Sequence, residues 1–451
     1  MTVVRPDTAR LAAASQGPPV ARRPGYATPA NDGVGHRGLC TREQILASAA
    51  KAFLRNGFHS TSLDMIAKAA NVSRATVYQY FANKEDIFLA LSKAASRDVL
   101  SLGGRLGRLG PDPEGVAALF SWLKDWAGIY DAHAAVFAEF PGIGTSRGLA
   151  IGDVRAEAAT FTSQVEARLR TADLRGLHPY DATAALTRIT HMVHVYRSRA
   201  MFPLPATGIY ESLTLALQLM LFPDTPERTF REVLRALRPA RSPMLQSKAD
   251  AQHDRPIPDV SLGPTSPVRQ AVLRTSSALF AESGYHAVGM TDIAASANIS
   301  RATLYRYYST KHTILAELTQ RAVSDVERLA GTLTRGGIGA LTEWIADYVR
   351  FQRQARGVTR AWFDGTVATQ LCEAPVRHGV SAIYGAAKGL LDTVDLPAGM
   401  DLDVAAVVFL AVLGRMTEPT FVGGAECDAR AARLMMDLLT RSILRSVPRP
   451  L

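Results

Sequence analysis

Residues 72–87 read VSRATVYQYFANKEDI, and residues 299–314 read ISRATLYRYYSTKHTI. The two stretches stand 227 positions apart, and at that offset residues 42–91 lie against residues 269–318 without a gap. Phe53 meets Phe280, Gly57 meets Gly284, His59 meets His286, Ile66 meets Ile293 and Asn71 meets Asn298. A period this long cannot belong to a solenoid, whose units run to a few tens of residues, so it marks two copies of a whole domain. The length agrees, since 451 residues exceed what one hydrophobic core commonly holds.

Within the first copy, Ile45, Leu46, Ala49, Ala50 and Phe53 recur at helical spacing and predict a helix over 41–55. Asn56-Gly57 stops it, because glycine takes the left-handed conformation that ends helices. Ser62 stands where it can cap a short second helix with Ile66, Ala67 and Ala70 inward, and Asn71 tolerates a left-handed exit. Ser73 then caps a third helix over 74–81, and Asn83 a fourth. Three helices with a tight turn between the last two make a helix-turn-helix unit. Val77 and Phe81 supply the third helix's buried side, which leaves Arg74, Thr76, Tyr78, Gln79 and Tyr80 outside. Donors, a hydroxyl and rings on so short a helix suit a DNA major groove, and Lys84 falls where a cation meets phosphates. The competing reading makes Tyr78, Tyr80 and Phe81 ordinary core aromatics. It is weakened by the recurrence of the pattern at Ser300, Arg301, Thr303, Tyr305, Arg306, Tyr307 and Lys311.

GFHSTSLDMIAKAANVSRATVYQYFANKEDIF (57–88) resembles the N-terminal DNA-binding domain of the tetracycline-repressor (TetR) family, and GYHAVGMTDIAASANISRATLYRYYSTKHTIL (284–315) resembles it again. The resemblance implies an all-α fold of two tandem halves, each a three-helix DNA-binding unit followed by a helical part for ligand binding and dimerisation. Carried over by position, it implies that Thr61, Ser62 and Tyr80 touch phosphates and that Arg74, Thr76, Tyr78 and Gln79 approach bases beside the Ser73 cap. Lys84 and, in the second copy, Lys311 would meet the backbone. The second copy departs at Val288-Gly289, which replace Thr61-Ser62, so its reader is expected to bind more weakly or sit differently. Gln79 against Arg306 implies different bases, since glutamine suits adenine and arginine suits guanine.

Composition shifts divide the chain into an arm (1–38), a reader (39–94), a helical body (95–238), a Pro/Ser/Asp-rich linker (239–267), a second reader (268–321) and a second body (322–446). Trp122, Trp126, Tyr130 and Phe137 in the first body, and Trp344, Tyr348 and Trp362 in the second, are candidates for an apolar ligand pocket, against the alternative of plain helical core. Trp126-Tyr130 and Trp344-Tyr348 form matching Trp-x-x-x-Tyr pairs. Glu139 either faces a cationic ligand or lies solvated at the surface. His191 and His194 are three apart on a helix but lack a third ligand of recognisable spacing, so no metal is expected. Apolar helices over 181–197, 209–222, 403–416 and 429–447 carry more apolar surface than a small core needs. They can meet within the chain as a pseudo-dimer, or between chains as a homodimer.

A net charge of +10 is compatible with a polyanionic partner. No apolar run reaches the roughly 18–20 residues of a membrane span, and no signal-peptide core precedes the first copy, so a cytoplasmic location is expected. Cys40, Cys372 and Cys427 have no CxxC spacing, which argues against a disulfide framework or cysteine zinc site. No nucleophile elbow, phosphate loop or metal motif is present, so neither enzymatic activity nor a cofactor is expected. These features point to a regulator binding double-stranded DNA at an imperfect palindrome, most simply a repressor released by a lipophilic small molecule. An alternative has one copy on DNA and the other half as a sensing or interaction module.

Overall fold

A computed structural model describes residues 36–139, 152–237, 266–363, 373–416 and 425–446. Helices dominate, and no strand occurs among the described residues. The first unit comprises α1 (His36–Asn56), α2 (Leu63–Ala69), α3 (Arg74–Tyr80) and α4 (Lys84–Arg105). Its copy comprises α12 (Pro267–Ser283), α13 (Met290–Ser296), α14 (Arg301–Tyr307) and α15 (Lys311–Gly336).

The local signals act as their chemistry requires. Ser62 Oγ accepts from the Met65 N–H, Ser73 Oγ from Thr76 and Asn83 Oδ1 from Asp86, each satisfying a donor that a helix start leaves orphaned. Gly57 leaves α1 at φ 76° and Gly284 leaves α12 at φ 83°, while Asn71 and Asn298 take φ 52° and 53° after α2 and α13. α1 begins earlier than the sequence suggests and takes in residues 36–38 of the expected arm; residues 1–35, and 239–265 of the expected linker, lie outside the described residues.

The first body contains α5 (Pro113–Ala132), α6 (Ala134–Glu139), α7 (Gly152–Leu169), α8 (Pro179–Ala184), a π-helical turn (Ala185–Ile189), α9 (Thr190–Ser198), α10 (Ile209–Leu221) and α11 (Glu227–Leu237). The second contains a 3₁₀ turn (Ile338–Ala340), α16 (Leu341–Phe363), α17 (Glu373–Leu391), α18 (Leu402–Arg415) and α19 (Ala425–Arg441). The helix expected over 181–197 is thus interrupted by a π turn, a feature common near functional sites.

α10 is buried throughout residues 212–221 and α18 throughout 404–413. A helix buried on every side must be enclosed; these two pack on each other, with α5 also against α10 and α17 also against α18. α18 packs on α9, the π turn and α10 of the first half, and α10 also meets α19. The Arg441 guanidinium donates to the Leu174 and Arg175 carbonyls at 3.1 and 2.8 Å, and Arg445 donates to the Pro223 carbonyl at 3.0 Å. Phe202 stacks on Tyr384 at 4.9 Å. The cores therefore do not divide along the repeat. One apolar cluster runs through both bodies into the second reader, whereas Ile45, Phe53, Phe58, Ile66, Val77 and Phe88 of the first reader form a cluster of their own. No helix among the described residues is long and apolar enough to cross a membrane.

Phe409 is wholly buried in α18. Phe409→Ala is expected to cost about 3–5 kcal/mol through the cavity it leaves. Because the core is shared, denaturant unfolding should show both bodies shifting together; a transition confined to one of them would contradict a common core.

Candidate nucleic-acid interface and ligand site

Val77 anchors α3 with no exposure, and Phe81 is buried just beyond the helix end. Arg74 and Gln79 stand exposed, with Thr76, Tyr78 and Tyr80 half-buried beside them. Arg74 Nη2 donates to Tyr78 Oη at 3.1 Å, and Nη1 pairs with Asp64 Oδ2 at 3.3 Å. The bond to Tyr78 first, and then the Asp64 charge, hold the guanidinium proton more tightly than usual. The second reader repeats this geometry with different atoms. Leu304 is the buried anchor, Tyr305 and Tyr307 are exposed, and Arg306 lies over the Tyr307 ring at 5.4 Å. Arg301 donates to the Thr291 hydroxyl where Arg74 meets a carboxylate. Hydrogen bonding from Ser266, then Arg306, lowers the pKa of the Tyr307 phenol.

Several residues expected at phosphates are employed inside the fold. Thr61 is buried, and its hydroxyl donates to the Gly57 carbonyl at 2.8 Å. Val288, also buried, replaces it as a core residue of similar shape, so the second reader has not lost a surface hydroxyl there. Ser62 is exposed and caps α2; at Gly289 the backbone N–H instead donates to Asp292 Oδ2 at 2.8 Å, so α13 keeps a capped start. Ser73 and Ser300 cap α3 and α14, with their hydroxyls 2.8 and 2.9 Å from those of Thr76 and Thr303.

Lys84 Nζ donates to the carbonyls of Phe58, His59 and Thr61 at 2.9, 3.0 and 3.2 Å and lies 4.7 Å from the Phe58 ring centre. Lys311 repeats this at Tyr285, His286 and Val288, over the Tyr285 ring. An ammonium has three N–H donors, so both lysines are filled by the loop they clamp, and burial lowers their pKa. The signal available in the sequence was the aromatic after each glycine, a cation–π partner for the lysine 26 residues on. The clamped loops meet: His59 and His286 stack with ring centres 3.8 Å apart, bringing equivalent points of the two readers into contact.

In the bodies, Trp122 Nε1 donates to the Leu102 carbonyl 20 residues back, and Trp344 Nε1 to the Leu329 carbonyl 15 residues back. Leu102 and Leu329 are repeat partners, so Trp122 matches Trp344, and Trp126 matches Tyr348 one turn later. The apparent Trp-x-x-x-Tyr match is one helical turn out of register, because the second connection is shorter. Tyr130 then corresponds to Gln352, which donates to Tyr348 Oη at 2.6 Å. Trp362 Nε1 donates to the Thr319 hydroxyl at 3.2 Å.

The first body is paired differently. Tyr130 is fully buried, stacked on Phe137 at 4.6 Å and on His194 at 5.1 Å, with His191 tilted nearby at 5.9 Å. Trp126 Nε1 and both ring nitrogens of His194 have no hydrogen-bond partner among the described residues. Burial pushes the Tyr130 phenol up to about 12 and the His194 imidazole down to about 3, the latter helped by Arg197 and His191. No group of three or more His, Cys, Asp or Glu residues able to hold a metal occurs among the described residues. Glu139 is half-buried, and its Oε1 accepts from the Phe58 N–H at 2.8 Å, tying α6 to the first reader.

A histidine kept neutral in the fold but protonated when unfolded makes the unfolded chain take up the extra proton. Its contribution to stability is therefore present above its ordinary value of 6.5 and declines as pH falls toward about 3. The slope from this residue approaches about 1.4 kcal/mol per pH unit. Stability measured against pH should lose that component in His194→Leu; an unchanged slope would mean that the ring is not buried neutral.

The family profile described as "Bacterial regulatory proteins, tetR family" matches residues 45–91 and 272–318, the two helix-turn-helix units. The chain is similar to the HTH-type transcriptional regulator YhgD of Bacillus subtilis (strain 168), with 43% identity over 47 residues, covering 10% of this chain and 25% of that protein. It is also similar to the fatty acid metabolism regulator protein of the same organism, 44% over 50 residues, covering 11% and 26%. The HTH-type transcriptional regulator AcrR of Shigella flexneri shares 48% over 48 residues, covering 11% and 22%. The chain thus spans about a quarter of the length of the curated relatives it matches. Among solved structures, a putative fatty acid metabolism regulator of Clostridium perfringens aligns over 39% of this chain and 96% of its own, at 17% identity and a TM-score of 0.33. The profile is matched at both repeats, so each of the two helix-turn-helix units is of the kind that the tetR family of bacterial regulatory proteins carries.

Proposed function

We propose that the chain is a sequence-specific DNA-binding transcriptional regulator, a repressor that carries both readers of its operator on one polypeptide and leaves DNA when a lipophilic molecule binds. The observation that supports this most is the paired exposure of α3 and α14. Each presents arginine and tyrosine over a buried anchor, on units whose bodies share one core. Tyrosines left half-buried on α3 and exposed on α14, around a single buried aliphatic, are poor core and good groove material. Arg74, Tyr78, Gln79 and Tyr80 read one half-site, and Arg301, Tyr305, Arg306 and Tyr307 the other. Gln79 against Arg306 makes the operator an imperfect palindrome. Thr61, Lys84 and Lys311 act indirectly, by shaping the loops that set each recognition helix. Enclosure of α10 and α18 by each other supports a single-chain pseudo-dimer as the working unit. The effector's polar group is taken by Trp126, Tyr130 and His194, whose buried polar atoms lack partners among the described residues, whereas Tyr348, the counterpart of Trp126, has Gln352.

A mobility shift against DNA upstream of the gene, at several salt concentrations, tests the reading; absence of specific retardation by folded protein would overturn it. Arg306→Ala is expected to cost about 1–3 kcal/mol on the cognate site and to relax preference at one base pair. Thr61→Val should leave affinity within about twofold, because the hydroxyl is internal and valine already serves at Val288. A phosphate-contacting Thr61 would instead show a weaker complex.

A further inference from the structure

The two readers are attached to the molecule in different ways. In the second, a methyl group on Gly357 of α16 would sit 1.9 Å from the Ser277 carbonyl oxygen of α12, so the two backbones are in direct contact. Arg360 on the same helix donates to the Ala281 carbonyl. Within that reader the buried Glu317 carboxylate accepts from Arg269 at 2.7 Å, from Tyr308 Oη at 2.7 Å and from Arg321 at 2.9 Å, bracing α12 and the end of α14 against α15. At the equivalent positions the first reader has Arg42, Phe81, Ala90 and Ala94: the arginine lies over the Phe81 ring at 5.3 Å, and no carboxylate is present.

The first reader's core is closed off from the main one. Beyond its own α4, it is joined to the body by α6, through buried Ala135 and Val136 and the Glu139 bond to the Phe58 N–H, and it touches the second reader where the His59 and His286 rings stack. Leu54, the counterpart of Ala281 beneath Arg360, is 54% exposed. The far side of α6 touches the buried polar cluster, since Phe137 stacks on Tyr130 and the Ala138 carbonyl accepts from Arg199 at 2.7 Å.

We propose that the second reader is a fixed anchor and the first the moving one, with α6 as the lever whose Glu139–Phe58 bond passes the state of the Tyr130–His194 cluster to it. Six residues of helix, with Phe137 against Tyr130 on one side and the reader's loop on the other, give that cluster a mechanical output on one half only. An effector therefore changes the spacing of the two readers by displacing one of them while the other keeps its place. This rests on both units being DNA readers, but the asymmetry itself is measurable without DNA.

Hydrogen exchange of the full chain, read as protection factors, tests it. Amides of α2 and α3 are expected to be at least about tenfold less protected than those of α13 and α14. Glu139→Ala should lower protection in 57–62 and in α2–α3 while leaving α13–α14 unchanged. Glu139→Gln, whose amide oxygen still accepts, should restore it. Gly357→Ala should loosen α12–α14 alone. Equal protection of the two readers, or a Glu139→Ala effect spread evenly over both, overturns the proposal. Specific DNA binding with symmetric exchange would sink this inference and leave the regulator reading intact. Asymmetric exchange without DNA binding would do the reverse.

Discussion

The structure depends on the mutual enclosure of α10 and α18. Each is buried and largely apolar around its whole circumference, and such a helix in water exposes several large side chains whichever way it turns. Only a partner of the same kind, flanked by further helices, removes that surface. Here the partner lies in the same chain, so the two copies of the domain are pressed together by their bodies. The Arg441, Arg445 and Asp401 bonds across the seam satisfy polar groups that the apolar contact would otherwise strand.

Enclosure at the bodies carries the readers with it. α4 and α15 are long helices that begin in a reader and end in a body, so the position of each reader follows from the packing of the helix beneath it. The lysine clamps then fix the loops between first and second helices, and the stacked His59 and His286 rings lie where those loops converge. A charge buried against three carbonyls and an aromatic face is satisfied locally, which is why a lysine tolerates that position in both copies.

The caps and turns of the short helices are legible in the sequence. The caps at Ser62, Ser73 and Asn83, the left-handed Asn71 and the inward Val77 follow from rules that act within a few residues, and they hold as read. Thr61 and Lys84 did not follow, because a hydroxyl's or ammonium's employment depends on which carbonyls come within reach. Those carbonyls belong to other turns of the chain. The tryptophan register failed for a related reason: a shorter connection slides one helix by a turn relative to the repeat, and only the bonds to Leu102 and Leu329 reveal which indoles correspond.

By itself the sequence determined that there are two helix-turn-helix units, which residues cap their short helices, and that Val77 faces inward, since these are matters of local propensity and periodicity. Tertiary structure alone decided that the two bodies share one core, that the second reader is merged with that core while the first keeps a cluster of its own, and that Glu139 joins α6 to Phe58. The physical reason is that these outcomes turn on contacts between residues far apart in the chain, whose apolar area and unpaired donors are matched only after the helices have packed.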